Sequence, residues 1–232
     1  MNPLTPRVRY HLRMRRITVA LFGALILAGG ASILRERTAA ELGRLDAAAG
    51  ESFIPPANEA ARRSLAAAAS TYGRSMTGKL FDPLVGRWGG VLAKIGFVEC
   101  TDVPVRAYQA AGVPIKILLR RSASEHPEWF ETSPDNLIGN RLFFHRAWNY
   151  LSLFRNHTAL TVGTEPQTGD WVFYGKKHVG LVIETGKYGN FLAAEASPVR
   201  GRVVLSDAAY LKRVWGSPTA FGRLKQRDAP LP

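Results

Sequence analysis

The sequence holds a single cysteine, Cys100. With no second thiol, an intramolecular disulfide is excluded, and so is any metal site built on several thiolates. A lone cysteine is ordinarily a buried, inert small hydrophobe, so its neighbourhood has to argue for anything more. Histidine is also sparse, five in 232 residues, and no H-x-x-x-H or H-E-x-x-H spacing occurs. That removes the commonest zinc signatures. The glycines at 86, 89 and 90 lack the following Lys-Ser/Thr of a phosphate loop. Neither a metal nor a cofactor is expected. Acids are the scarcer charge, 18 against 31 Lys and Arg, for a formal net charge of +13. Such a balance favours polyanionic surroundings, such as lipid headgroups or cell-wall polymers. Nucleic acid is the other polyanion to weigh. No basic-helix, zinc-finger or aromatic-sheet signature supports it, so no nucleic-acid partner is expected.

Long apolar runs are equally rare. The one that matters is Ile17 to Leu34, ITVALFGALILAGGASIL, which carries no charge. At about 1.5 Å per residue it reaches roughly 27 Å, close to the hydrocarbon thickness of a bilayer. Residues 1–16 before it carry Arg and His and no acid. Two readings compete: a signal anchor left in place, and a signal peptide cut near Gly29–Ala31. The run is long for a cleaved segment, which favours the anchor. The basic leading end should stay cytoplasmic, sending the rest of the chain across. The expected organisation is a basic tail (1–16), an anchor or signal segment (17–34), a linker (35–56), a main domain (57–224) and a tail (225–232).

Hydrophobic residues make up 46% of the chain, enough for a core. Asn58 is placed to cap a helix from Glu59 to about Ser75, and a second helix-like stretch runs from 84 to 95. Thr101 to Ala111 reads as a helix ending at Gly112. Pro104 is tolerated only in a first turn, where its missing N–H costs nothing, so that helix has to begin close to Cys100. Residues 122–140 read as loop, and Leu142 to Phe154 as an aromatic helix. Strand signals follow at Trp171–Tyr174, Val179–Glu184, Phe191–Ala194 and Val203–Leu205. Helices first and a strand meander after them is an α+β order, with the sheet antiparallel.

A thiol at a helix N-terminus faces unpaired N–H groups and the positive end of the dipole, so Cys100 is expected to be ionised near neutral pH. His178 stands at the start of a strand, which aims an imidazole better than a loop does. The two make a nucleophile–base pair if the fold joins them. Glu195, on the next strand, is the candidate for the third group that orients the ring. Arg200 and Arg202 are alternative partners for that acid. Asp102 and Arg106, four apart, are expected to pair along the helix. Together with His145 and Arg146 they are the candidate substrate contacts. Arg146 suits a substrate carboxylate.

The stretch Gly96-Phe97-Val98-Glu99-Cys100-Thr101-Asp102-Val103-Pro104-Val105-Arg106-Ala107-Tyr108 resembles the signature C-T-D-V-x-x-R-A-Y. That signature belongs to an uncharacterised exported bacterial family related to the NlpC-type cell-wall peptidases. Thr168-Gly169-Asp170-Trp171-Val172-Phe173, followed by His178-Val179-Gly180-Leu181-Val182, is similar to the G-D-x-V and H-[IV]-G-[IL]-V motifs of the same superfamily, in the same order. The resemblance covers roughly residues 80–224. It implies a papain-like (NlpC-type) fold, Cys100 as nucleophile, His178 as base and a polar third residue on the following strand. The implied activity is amide hydrolysis by an exported cysteine peptidase or amidase, with peptidoglycan or another cell-wall peptide as substrate. The implied location is the bacterial inner membrane, the domain periplasmic, or else release into the periplasm. Relatives usually carry His, Asn or Gln where this chain has Glu195, and Phe144-His145-Arg146 matches their His-Arg stretch only loosely. A non-catalytic cell-wall or partner-binding module of the same fold stays open, as does a membrane-linked thioesterase or acyltransferase. The oligomeric state is left open by the sequence.

Overall fold

A computed structural model describes residues 53, 55–82 and 96–226. The expected segments 1–16 and 17–34, nearly all of the linker up to 52, the helix-like stretch 84–95 and the tail from 227 lie outside the described residues. Among the described residues no helix is long and apolar enough to cross a membrane. The described chain has helices and a six-stranded antiparallel sheet, an α+β architecture.

Helix α1 spans Glu59–Ser75 and starts where the sequence placed it: the Asn58 side chain accepts from the Ala61 N–H at 2.9 Å. It lies close against the sheet. A methyl group at Gly73 would come within 2.5 Å of Leu181, and Ser70 Oγ donates to the Ile183 carbonyl at 2.7 Å. Helix α2, Asp102–Ala110, keeps Pro104 within its first turn and is followed by Gly112 at φ 83°.

Two local expectations are corrected. Residues 122–140 are not all loop: Ser122 to Glu125 complete helix α3, Ile115–Glu125. Ile115, Leu118, Leu119 and Ser122 are buried in it, the i, i+3, i+4, i+7 spacing of one helical face. The expected helix from Leu142 to Phe154 is broken. A 3-10 turn, Arg141–His145, ends at an extended Arg146 (φ −95°, ψ 116°), and helix α4 then runs Ala147–Asn156. Side chains of α4 fold back onto carbonyls of the turn before it. Asn149 donates to the Phe143 carbonyl at 2.9 Å and Tyr150 to the Phe144 carbonyl at 3.1 Å. With those acceptors engaged from the side, the turn need not continue into the helix.

The strands are β1 (Leu160–Gly163), β2 (Trp171–Tyr174), β3 (His178–Thr185), β4 (Phe191–Ser197), β5 (Arg202–Asp207) and β6 (Ala220–Leu224), with helix α5 (Ala208–Trp215) between the last two. Their order across the sheet is β1-β6-β2-β3-β4-β5. Strands β2 to β5 form the expected meander of hairpins. Strands β1 and β6 and helix α5 were not anticipated. One sheet face packs Trp171, Phe173, Val179 and Leu181 against Val103, Tyr108, Leu153 and Phe154. The other packs Val172, Tyr174 and Val182 against Leu211 of α5, with Trp215 alongside. Burial on both faces explains why β2 reads as an unbroken apolar run rather than an alternation.

The two sequence motifs meet in this core. Tyr108, from the first, donates its hydroxyl to the Gly169 carbonyl of the second at 3.0 Å, and its ring meets Trp171 edge-on at 5.6 Å. The helix that carries the cysteine is thereby tied to the turn that opens β2.

Candidate active site

Cys100 stands one residue before the N-cap of α2. The turn is held by Asp102, whose carboxylate accepts from the Glu99 N–H at 3.0 Å, while the Asp102 N–H donates to the Glu99 carbonyl at 3.2 Å. Thr101 contributes no side-chain cap. The sulfur is half-buried and accepts backbone N–H groups from Thr101 and, from β3, Val179.

Sheet geometry accounts for the Val179 contact. The Val182 N–H and carbonyl both face the β2 side, bonding Asp170 and Gly169. Alternation then turns the amides of Leu181 and Val179 toward β4. Yet β4 is in register with β3 only up to Ala194, opposite Leu181; beyond that it pairs with β5 alone. The two strands fork, and the sulfur takes the amide that the ladder leaves over. This joins Cys100 to the residue directly after His178.

The expectation of a readily ionised thiol is corrected. Burial, and after it the negative charge of Glu99, pushes Cys100 up to about 12, although the two amides act the other way. One amide at the helix start and one from β3 do not outweigh the burial of the thiol.

His178 is 2% exposed. Its Nε2 lies 2.7 Å from Glu195 Oε2, so the acid expected to orient the ring does contact it. The indole of Trp215 stacks on the imidazole, centroids 4.2 Å apart and planes 10° apart. Glu195 is fully buried and multiply held: Ser206 Oγ donates to Oε1 at 2.9 Å and Trp215 Nε1 to Oε2 at 3.3 Å. Burial works to raise this carboxyl. The hydrogen bond and charge of His178, with the bonds from Ser206 and Trp215, outweigh it and leave Glu195 below its ordinary value. Of the partners weighed for Glu195 in the sequence, His178 is the one in contact. With Nε2 engaged, Nδ1 is the imidazole nitrogen left for proton exchange. Gly180 makes room for the cluster, because a methyl group there would sit 3.1 Å from the Ala194 carbonyl and 3.6 Å from Glu195 Cβ.

The other candidates divide. Asp102 and Arg106 do approach each other, at 3.7 Å, and Asp102 is also occupied with the Glu99 amide. His145 joins the neighbourhood of the cysteine through Glu99, with Nδ1 3.0 Å from Oε1. Burial raises the Glu99 carboxyl despite that partner. Arg146 turns to the Asp135 carbonyl at 2.9 Å and stacks over Trp148 at 4.7 Å. Trp215 and Ser206 were missed as parts of the site. The signal that finds Ser206 is the β4–β5 register, Ala193 opposite Ser206 and Glu195 opposite Val204, which composition does not carry. Asp170 holds the turn before β2: it accepts from the Gln167 N–H at 2.7 Å and pairs with Arg223 at 2.7 Å.

Among the described residues no group of three or more His, Cys, Asp and Glu is placed to hold a metal ion. The arrangement offers a weakly acidic thiol beside a strand amide, and an imidazole fixed by a buried carboxylate and an indole. In comparison with known proteins, the chain matches no protein-family model and no curated protein.

Proposed function

We propose that the protein is an exported cysteine hydrolase of papain-like, NlpC-type fold, an amidase or endopeptidase acting on peptidoglycan peptides. The reading rests on one observation above all. The thiol of the one cysteine accepts the backbone amide of Val179, the residue after His178, and the His178 imidazole is held by Glu195 and Trp215. A carboxylate–imidazole pair with a thiol at a helix start supplies the parts of acyl transfer.

The raised thiol decides the order of events. Burial disfavours the Cys100 thiolate, so on this reading His178 Nδ1 takes the thiol proton as the sulfur attacks the scissile carbonyl. Glu195, held ionised, stabilises the imidazolium. The tetrahedral oxyanion falls to backbone N–H groups at the start of α2, that of Cys100 included. The imidazolium then gives its proton to the leaving amine, and water returned through the same ring releases the acid and the free thiol. On this reading the segment 17–34 holds the domain at the outer side of an inner membrane or serves as its export signal.

Purified peptidoglycan fragments analysed by mass spectrometry test the proposal. The wild-type chain is expected to release new amine and carboxyl termini, and Cys100→Ser and His178→Ala to lose at least about a hundredfold in rate. Retained turnover in either variant rejects the mechanism.

One observation favours a second reading. A thiol near 12 is also what a sulfur outside catalysis shows, so a non-catalytic cell-wall-binding module of the same fold is the alternative. It predicts unchanged fragments from the wild type, with binding that Cys100→Ser leaves intact.

A further inference from the structure

A cleft of about 440 Å³ opens beside the Glu195 cluster and takes no part in the chemistry above. It lies between β5 and α5, and Arg200, Ser206, Tyr210 and Arg213 stand in its walls. The guanidinium of Arg200 lies 4.5 Å from the Tyr210 ring centre and that of Arg213 5.5 Å. Neither arginine forms an ion pair among the described residues; both rest on one neutral ring. Asp207, the one acid in the walls, caps α5, its Oδ1 accepting from the Tyr210 N–H at 2.7 Å. The cleft therefore presents two cations against one carboxylate, which is tied to the start of α5. Ser206 joins it to the catalytic groups, since it forms a wall here and donates to Glu195.

Resting on the hydrolase reading, we propose that this cleft is the subsite for an acidic residue of the peptide substrate, with Arg200 and Arg213 gripping its side-chain carboxylate. Two guanidiniums sharing one aromatic support suit a planar anion. The edge of β5 favours a peptide over a bare inorganic anion. Val203 already directs its N–H and carbonyl outward, to Lys79 and Gly78. Leu205, two residues on and in the cleft wall, turns its backbone the same way. An extended peptide can bond both the N–H and the carbonyl of that edge, whereas phosphate can use the N–H alone.

The experiment uses the full chain with Cys100→Ser, so that ligand survives. Calorimetry compares acetylated, amidated Ala-Glu-Ala with its Ala-Gln-Ala counterpart. The Glu peptide is expected to bind at least about tenfold more tightly. Arg200→Gln with Arg213→Gln is expected to erase that preference, leave the Gln peptide's affinity unchanged and preserve the circular dichroism spectrum. Three results overturn the proposal: no measurable binding of the Glu peptide, a preference that survives in the double variant, or inorganic phosphate displacing the Glu peptide at equal concentration. The two proposals fail separately. A preference lost in the double variant, together with a wild type that hydrolyses nothing, keeps the subsite and rejects the hydrolase. Active hydrolysis with a preference indifferent to both arginines does the reverse.

Discussion

At Cys100 two environments meet, and the drier one prevails. The helix start was legible from Pro104, and so was the pairing of His178 with Glu195 across a hairpin. The state of the thiol was not, because it depends on how much water the packed chain removes, and that is set by residues far away in sequence. The consequence is measurable. With the group near 12, alkylation by iodoacetamide should climb about tenfold per pH unit from 7 to 10 without levelling. A plateau at or below pH 9 would contradict it. Glu195 titrates in the opposite sense. Its carboxyl lies below the ordinary 4.5, so its contribution to stability is complete above 4.5 and is lost as pH falls through the lower folded value. Glu195→Gln should therefore melt well below the wild type at pH 7, and the gap should narrow steadily as the buffer is taken below 4.5. Thermal scans from pH 3 to 7 read this directly; a constant gap would show that the Glu195 carboxylate is not the source.

Among the elements, those with a local signature were readable and those defined by partners were not. Asn58 announced α1, Gly112 the close of α2, and the run around His178 announced β3. Strand β6 gave no sign because Gly222 interrupts it. Glycine is required there: a methyl group would sit 2.8 Å from Phe154 and 2.9 Å from Phe173. Arg146 likewise breaks a helical pattern for reasons found in Asn149 and Tyr150. Gly169 shows how tightly α1 and β2 are set. It holds φ 85°, and an added methyl would meet the Ala66 backbone at 2.6 Å. Gly169→Ala combines a left-handed penalty with a backbone clash and should cost about 3 kcal/mol in chemical denaturation. Tyr108→Phe, which only strands the Gly169 carbonyl, should cost about 1–2 kcal/mol. Equal losses in the two would refute this account of the junction.

On the scale of the whole molecule, the sheet is assembled out of sequence. Strand β6 lies between β1 and β2, and β1 touches no other strand. A stop codon after Ser217 would remove β6, leave β1 without a ladder and bare the rings packed against Gly222. Such a chain is expected to lose its cooperative unfolding transition and its near-ultraviolet dichroism; a sharp transition would show that β6 is dispensable. The arrangement also dictates timing. Strand β6 is the last of the six to be made, so the nascent polypeptide must stay incomplete until it emerges. Every earlier fragment is open between β1 and β2, and maturation waits on that last strand.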